Sequence, residues 1–291
     1  MKLTPDQVKG RIKTISNNKT SDARVLMKIF MMDRFLERIA YSKYNNNFII
    51  KGGLLVTALV GTNYRSTNDI DVSIKNKHLS IDDIRLIINE IKDIDLDDGI
   101  KFEINDISNI MDQMEYPGIR VSMNAVLDEI LTPLKIDIST GDVITPKEIS
   151  FDYKLLLEDR SIRLWSYNLE TVLAEKLQTI FARSILNTRM RDFYDIYILS
   201  FLYGDRINKE ILEDAFINTC EKRKTKYVIN DTNQILKNIE NDEGLKNLWK
   251  KYQDKFQYAD GIEYTDVINS IRLLSNNGKD CWKKYFLCYN I

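Results

Sequence analysis

The stretch Lys51-Gly52-Gly53-Leu54, followed by Arg65-Ser66-Thr67-Asn68-Asp69-Ile70-Asp71, decides how the first half of this chain is interpreted. Asp69 and Asp71 are two residues apart in an alternating segment, so on a strand both carboxylates point to one face and can reach one metal ion. The glycine pair upstream allows the backbone to approach a phosphate closely. The pattern predicts metal-assisted chemistry on a nucleotide.

The sequence around this stretch predicts a mixed sheet with helices. A short strand is expected at 48–51, a helix at 54–60, and at 69–74 the strand that carries the two carboxylates. Ser21 and Asp22 are typical of a helix N-cap. Further strands are expected at 101–104, 118–125 and 135–139, and a helix with regularly spaced isoleucines at 80–92.

A third carboxylate, Asp137, lies in the alternating segment 135–139. A charge on a partly buried strand face needs a partner or a metal to offset desolvation. Asp69, Asp71 and Asp137 could hold two magnesium ions, which prefer a few carboxylates together with substrate phosphates and water. Such ions would activate an attacking hydroxyl and stabilise leaving pyrophosphate, and Asp137 could help to take the proton of that hydroxyl.

The second half of the chain has the pattern of a helical bundle. The predicted architecture is α+β, with a mixed sheet flanked by helices over residues 1–155 and a helical domain over 156–291 that contributes to the active-site cleft. The expected helices cover residues 169–186, 193–203, 209–220, 230–239, 244–256 and 262–274.

Two of these helices carry charged residues at helical spacing. Lys176 and Arg183 share one face, and Asp192 and Asp195 share another. These cations and the nearby Arg189 could bind a triphosphate, while the carboxylates orient the cations or act as a base. A structural ion-pair cluster between two helices explains the same residues, and both interpretations stay open.

Composition limits the possible functions. The 291 residues are 44% hydrophobic and 29% charged, with a formal net charge of −1, so contact with nucleic acid must come from local basic patches. A polar N-terminus and the lack of an apolar run of about 18 residues predict a cytoplasmic chain with no membrane span. The single histidine, His78, is expected in an exposed turn, which excludes a histidine-based triad.

The cysteines and the densest basic run have plain structural explanations. Cys220, Cys281 and Cys288 lack close CxxC pairing and are expected to be buried thiols. The run 221–226 is either a solvated helix end or a contact for the RNA backbone. Residues such as Tyr194 and Trp249 recur with aliphatic neighbours and are expected in the core.

Several motifs resemble a known superfamily. Gly52-Gly53, then Arg65-x-Thr67-x-Asp69-Ile70-Asp71, then Asp137 resemble the nucleotidyltransferase (polymerase-beta-like) superfamily, with Gly-Gly where the usual signature has Gly-Ser. Ala174-Glu175-Lys176-Leu177 and Arg189-Met190-Arg191-Asp192-Phe193-Tyr194-Asp195 resemble its AbiEii/AbiGii toxin branch. Arg191 stands where that branch usually has lysine, and arginine could not replace a lysine that acts by proton transfer.

The resemblance implies an enzyme that transfers a nucleotide from a nucleoside triphosphate, such as GTP, with release of pyrophosphate and with Mg²⁺ or Mn²⁺ as cofactor. The metal ligands would be Asp69, Asp71 and Asp137, and the catalytic set would add Lys176 and Asp192. The residues expected to bind the nucleotide are Lys51, Gly52, Gly53, Arg65, Thr67, Lys176, Arg183 and Arg189.

The same resemblance implies a toxin of a type IV toxin–antitoxin system that acts in abortive infection, an antiviral defence. The expected acceptor is tRNA, and the expected partner is a separately encoded antitoxin that forms no stable complex with the toxin. Two alternatives remain. The enzyme could modify a hydroxyl of a protein or of a small molecule such as an aminoglycoside, or the chain could be a non-catalytic nucleotide-binding regulator.

Overall fold

A computed structural model of the chain describes residues 3–18, 22–76, 80–110 and 118–275. The chain divides into two compact units, Met1–Asn168 and Leu169–Ile291. The first unit contains a mixed sheet with helices, and the described part of the second is helical. The predicted α+β class is therefore confirmed.

Seven strands of the first unit, counted over the described residues, form one sheet with the order β3-β4-β5-β2-β1-β7-β6. β2 pairs parallel with β5 and β1 parallel with β7, while the other neighbours are antiparallel. The strands are β1 (Phe48–Ile50), β2 (Ile70–Ile74), β3 (Ile100–Ile110), β4 (Gly118–Leu127), β5 (Ile130–Thr140), β6 (Ile149–Lys154) and β7 (Ser161–Ser166).

Two features of the sheet differ from the sequence-based expectation. β3 extends well beyond 101–104, because a register shift between Ile104 and Asp106 changes the alternation and pairing with β4 then continues to Ile110. β6 and β7 were not predicted. β7 is specified by its parallel pairing with β1, a contact between segments far apart in the chain that leaves no local pattern.

Four helices of the first unit are α1 (Pro5–Asn18), α2 (Ala23–Tyr41), α3 (Gly52–Val60) and α4 (Ile81–Lys92). Asp22 caps α2 by accepting a hydrogen bond from the Arg24 amide, and Ser80 caps α4 in the same way through Asp83. α2 packs against β5 and β7, α3 against β2, and α4 against β3. The isoleucine stripe of α4 is buried, as its spacing predicts.

α2 also carries buried charged residues that connect it to loops of the sheet. Asp33 accepts hydrogen bonds from the Tyr153 hydroxyl at 2.8 Å and from the Leu156 amide at 2.7 Å. Arg34 pairs with Glu158, and Arg38 pairs with Asp98. Burial raises the pKa of Asp33 to about 7, against the effect of these hydrogen bonds and of Arg34.

Asp33 should make the stability of the chain pH-dependent. Its pKa in the folded chain lies above the unfolded value, so its ionisation destabilises the fold increasingly as pH rises towards 7. Asp33→Asn has no titrating group; its amide oxygen can accept from the Leu156 amide, and its amide nitrogen can donate to the Tyr153 hydroxyl oxygen. We therefore compare the free energy of unfolding of the variant with that of wild type at each pH. The difference should shift in favour of the variant by about 2 kcal/mol from pH 5 to pH 8. Urea unfolding at the two pH values measures this, and a constant difference would contradict it.

Six α-helices make up the described part of the second unit. α5 packs against α6, α7 and α8, while α10 packs against α6 and α8. Tyr194 and Trp249 are buried, as predicted for core aromatics. The helices are α5 (Leu169–Arg183), α6 (Met190–Tyr203), α7 (Lys209–Lys222), α8 (Tyr227–Asn241), α9 (Glu243–Lys255) and α10 (Tyr264–Ser275).

Other sequence-based expectations are met only in part by the described residues. Cys220 is a buried thiol, whereas Cys281, Cys288 and His78 lie outside the described residues. None of the helices in the described ranges combines the length and the apolar character needed to cross a membrane.

Candidate functional site

Asp71 lies where β2 passes the start of α3. Its Oδ2 accepts a hydrogen bond from the Gly53 amide at 3.0 Å, and its backbone carbonyl accepts one from the Lys51 amide. Gly52 has φ +57, and a Cβ at this position would lie 2.5 Å from Asp71 Oδ2. The first glycine therefore makes room for the Asp71 carboxylate, and α3 begins at this glycine rather than after the pair.

Asp71, Asp137 and Arg120 form a row across three neighbouring strands. Asp71 on β2 is the register partner of Asp137 on β5, which is in turn the partner of Arg120 on β4. Arg120 donates from Nε to Asp137 Oδ1 and from Nη2 to Oδ2, both at 2.7 Å. This fork-to-fork geometry fixes the orientation of the Asp137 carboxylate.

The three predicted carboxylates influence one another electrostatically. Burial raises the pKa of Asp71 to about 6, and the charges of Asp137 and Asp69 add to this effect, while the Gly53 amide and Lys51 oppose it. The pKa of Arg120 is raised by its hydrogen bonds to Asp137 and also by the charges of Asp69 and Asp71. The structure thus places Asp71 opposite Asp137 and Asp137 on Arg120, with Asp69 close enough to influence the pKa of Asp71 and of Arg120.

This group of acids fits a hard divalent cation in its donor chemistry. Carboxylate oxygens are the ligands that Mg²⁺ prefers, and a cation would relieve the burial and the mutual repulsion of carboxylates that raise the pKa of Asp71. In the described part of the chain, no three His, Cys, Asp or Glu side chains are arranged as a ready metal site. Asp69, Asp71 and Asp137 therefore stay the predicted ligands, and Asp137 is also bound by Arg120.

Gly53, Arg65 and Thr67 pack together beside this group. A Cβ on Gly53 would lie 3.1 Å from Arg65 Nη2 and 3.2 Å from Thr67 Oγ1. Arg65 is almost fully buried and donates to the Ser66 carbonyl, while Thr67 donates to the Asp69 carbonyl at 3.2 Å. Arg65 and Thr67 therefore shape the segment that leads into β2.

Lys51 lies in a buried ion pair. Its Nζ is 2.7 Å from Asp142 Oδ2, and Ser139 donates a second hydrogen bond to the same oxygen at 2.6 Å. Burial would raise the pKa of Asp142, but Lys51, with help from the Ser139 and Tyr167 hydroxyls, lowers it to about 2. The ammonium of Lys51 thus joins the end of β1 to the loop after β5, close enough to Asp71 to lower its pKa.

A second charged group lies within the second unit. Lys176 on α5 places its Nζ 2.9 Å from Asp192 Oδ1 and 2.7 Å from Asp195 Oδ2, and all three side chains are buried. Arg189 Nε is 2.9 Å from Asp192 Oδ2. Although burial opposes it, the charges of Lys176 and Arg189 lower the pKa of Asp192. The structure therefore contains the ion-pair cluster between two helices that was one of the two interpretations of these residues.

Replacing Lys176 should destabilise the second unit strongly. Lys176→Met removes the ammonium from between two buried carboxylates, and breaking one side of a buried ion pair costs about 3–5 kcal/mol. Lys246→Met is the matched control, because Lys246 pairs with exposed Glu243 and such pairs contribute at most about 1 kcal/mol. Chemical denaturation measures both variants, and equal effects would show that the Lys176 pairs contribute little.

The remaining predicted cations have different surroundings. Arg183 is exposed at the C-terminal end of α5. In the basic run 221–226, Arg223 turns towards α5, where its Nη2 lies 3.0 Å from Glu175 Oε1 and its Nη1 donates to Gln178. Arg191, the departure from the usual motif, lies over the Phe256 ring at 5.2 Å.

Sequence reasoning missed Arg120 and Asp142. Arg120 lies in an alternating strand with no motif around it, and only the register of β4 against β5 places it on Asp137. Asp142 follows the predicted strand at 135–139 by three residues, so its proximity to that strand was the sole available signal. Both partners are set by tertiary pairing rather than by local spacing.

The helix α3 begins at the glycine pair, beside two carboxylates that face each other across parallel strands of a mixed sheet. This arrangement is that of a nucleotidyltransferase. A family model described as "Nucleotidyl transferase AbiEii toxin, Type IV TA system" matches residues 34–268, which is more than half of the chain. The chain belongs to this family and is a nucleotidyltransferase. Membership implies a nucleoside triphosphate substrate and a separate antitoxin.

Several solved structures are similar to this chain. JHP933 from Helicobacter pylori is 18% identical, with a TM-score of 0.49 and coverage of 87% of this chain and 93% of that one. An antigenic nucleotidyltransferase-like protein from Paracoccidioides brasiliensis is 14% identical, with a TM-score of 0.39 and coverage of 74% and 93%. None of the curated proteins matches the chain.

Proposed function

We propose that the chain transfers a nucleotide from a nucleoside triphosphate such as GTP to the acceptor end of tRNA, and that this modification arrests growth. The observation that carries the proposal is the pairing of Asp71 with Asp137 across parallel strands, with Asp69 close enough to affect both Asp71 and Arg120. Arrest of translation would serve an abortive-infection response in the cytoplasm, released by an antitoxin that forms no stable complex.

In the proposed reaction a hydroxyl oxygen of the acceptor attacks the α-phosphorus of the nucleotide. The bond from this phosphorus to the oxygen that bridges it to the β-phosphate breaks, and pyrophosphate leaves. Mg²⁺ or Mn²⁺, held by Asp69, Asp71 and Asp137, would supply charge stabilisation for the attacking and leaving oxygens. Asp137, oriented by Arg120, would accept the proton of the attacking hydroxyl.

We assign the remaining residues by their charge and position. Gly52 and Gly53 keep the start of α3 free of side chains, while Arg65, Thr67 and the Lys51–Asp142 pair hold the segments on either side. In the second unit, Lys176, Arg183 and Arg189 would supply positive charge for the phosphates. Asp192 orients Lys176 and Arg189, and it is the candidate base of that unit.

The test is to incubate the protein with each NTP, labelled at the α- or the γ-phosphate, together with total RNA and Mg²⁺, Mn²⁺ or EDTA. Nucleotide transfer predicts that α-label enters a tRNA-sized band, that γ-label does not, and that EDTA abolishes the signal. Label on protein or on an aminoglycoside would favour the alternative acceptors. The absence of any transfer, together with NTP binding, would favour a non-catalytic regulator.

A further inference from the structure

A groove opens in the first unit between α1, α2 and the beginning of β5. Its volume is about 680 Å³. One wall is formed by Lys9 and Lys13 of α1, the other by Arg24 and Lys28 of α2. β5 contributes the segment 130–133. The size is within the usual range for ligand sites, although this groove is open along its length.

The charge of the groove is of one sign. The described residues that line it include four cations, Lys9, Lys13, Arg24 and Lys28, and no carboxylate. The whole chain has a formal net charge of −1, so this is a local concentration of positive charge. Lys9, Lys13 and Arg24 are exposed. Such a surface attracts a polyanion.

The floor of the groove is apolar. Ile12, Met27, Leu131 and Pro133 lie between the charged walls, and Leu131 is 58% exposed. In a single-stranded nucleic acid, the phosphates could contact the cationic walls, and the sugars and bases could lie on the apolar floor. Since no aromatic ring is among the described lining residues, the groove offers no stacking platform, and binding should depend on phosphates with little preference for base.

The groove leads towards the candidate site. Burial lowers the pKa of Lys28, and so does the charge of Lys135. The carboxylate of Asp69 is close enough to oppose this shift. β5 carries Pro133 in the groove and Asp137 four residues further along the strand, a distance of about 13 Å. A strand of RNA in the groove would therefore have its end near Asp69 and Asp137.

We infer that this groove binds the single-stranded end of the RNA acceptor, with phosphates on Lys9, Lys13, Arg24 and Lys28 and the terminal hydroxyl directed towards Asp69 and Asp137. The inference rests on the proposed function and specifies where the acceptor lies.

The test variant is Lys9→Gln/Lys13→Gln/Arg24→Gln, which removes three exposed charges and leaves the carboxylates and Lys28 in place. Binding to a fluorescein-labelled single-stranded RNA of mixed sequence is measured by anisotropy in a series of NaCl concentrations on either side of about 0.1 M. Each lost phosphate contact should lower the salt slope by about 0.7, so we expect a loss of about 2 and a Kd raised on the order of 10- to 100-fold at 0.1 M salt.

The matched control is Lys237→Gln/Lys250→Gln/Lys251→Gln, which removes the same charge from exposed positions of the second unit. It should keep the wild-type Kd and slope. In the transfer assay with total tRNA, the groove variant should show a raised KM for RNA with kcat near that of wild type. Thermal unfolding of both triple variants confirms that each is folded.

The outcomes separate this inference from the proposed function. If wild type labels tRNA and the groove variant binds and modifies RNA as well as the control does, the groove is not the acceptor site, although the function stands. If the groove variant instead binds and modifies RNA like wild type but is no longer counteracted by the antitoxin, the groove contacts that partner and the inference is overturned. If wild type labels protein or an aminoglycoside and no RNA, the proposed function and the inference both fail.

Discussion

Replacing Asp71 by asparagine is expected to lower nucleotide transfer by about a thousand-fold, or roughly 4 kcal/mol of transition-state stabilisation. The amide keeps the size of the side chain and an acceptor for the Gly53 amide, so the start of α3 should remain in place. It removes one of the three negative charges that would hold the cation in the proposed site. The measurement is incorporation of α-labelled nucleotide into RNA at saturating NTP.

Stability gives the second measurement on the same variant. Ionised Asp71 is disfavoured by burial and by its carboxylate neighbours, so asparagine should keep or raise the melting temperature. Asp152→Asn is the matched control, because Asp152 lies exposed on β6 and should leave transfer unchanged. Transfer near the wild-type rate in Asp71→Asn, or growth inhibition that persists in both Asp69→Ala and Asp71→Ala, would exclude the proposed site.

Gly52→Ala is expected to lower transfer by about a hundred-fold or more and to destabilise the first unit. A Cβ would lie 2.5 Å from Oδ2, 2.8 Å from Cγ and 2.9 Å from Cβ of Asp71, so the carboxylate must move. Displacement of a reacting group by about 1 Å can cost a hundred-fold in rate. The left-handed conformation, φ +57, adds about 1–2 kcal/mol of strain for any L-residue.

Gly61→Ala separates these two effects. Gly61 also has positive φ, +89, but no atom in the described part of the chain lies within 4 Å of a Cβ built there. This control bears the conformational strain without the clash, so it should lose stability and keep its transfer rate. Equal loss of activity in both alanine variants would show that strain, rather than the contact with Asp71, controls the site.

Local pattern was enough to predict most helices and the strands next to the glycine pair. The isoleucine spacing predicted α4, and Ser80 and Asp22 cap their helices as such residues usually do. The alternation around Asp71 and Asp137 predicted both of their strands. These elements have in common that a period or a cap within a few residues specifies them.

Residue spacing did not reveal the partners of the site residues, because these partners come from segments distant in the chain. Asp137 was proposed as a partner of Asp71 from its strand alone, but its register opposite Asp71 and its pairing with Arg120 arise only when β2, β5 and β4 assemble. Spacing also did not reveal the ion pair of Lys51 with Asp142, which forms because the loop after β5 returns to the end of β1. Neither contact has a signature within a single element.

The late partner of β1 has a consequence for synthesis of the chain. Ile49 and Ile50 pair on one side with β2 and on the other with Trp165 and Ser166, more than a hundred residues downstream. At ordinary elongation rates this interval corresponds to on the order of ten seconds at the ribosome. The glycine pair next to β1 is translated long before its sheet can be completed, so a chain that ends before residue 161 lacks the strand that pairs with β1 on that side.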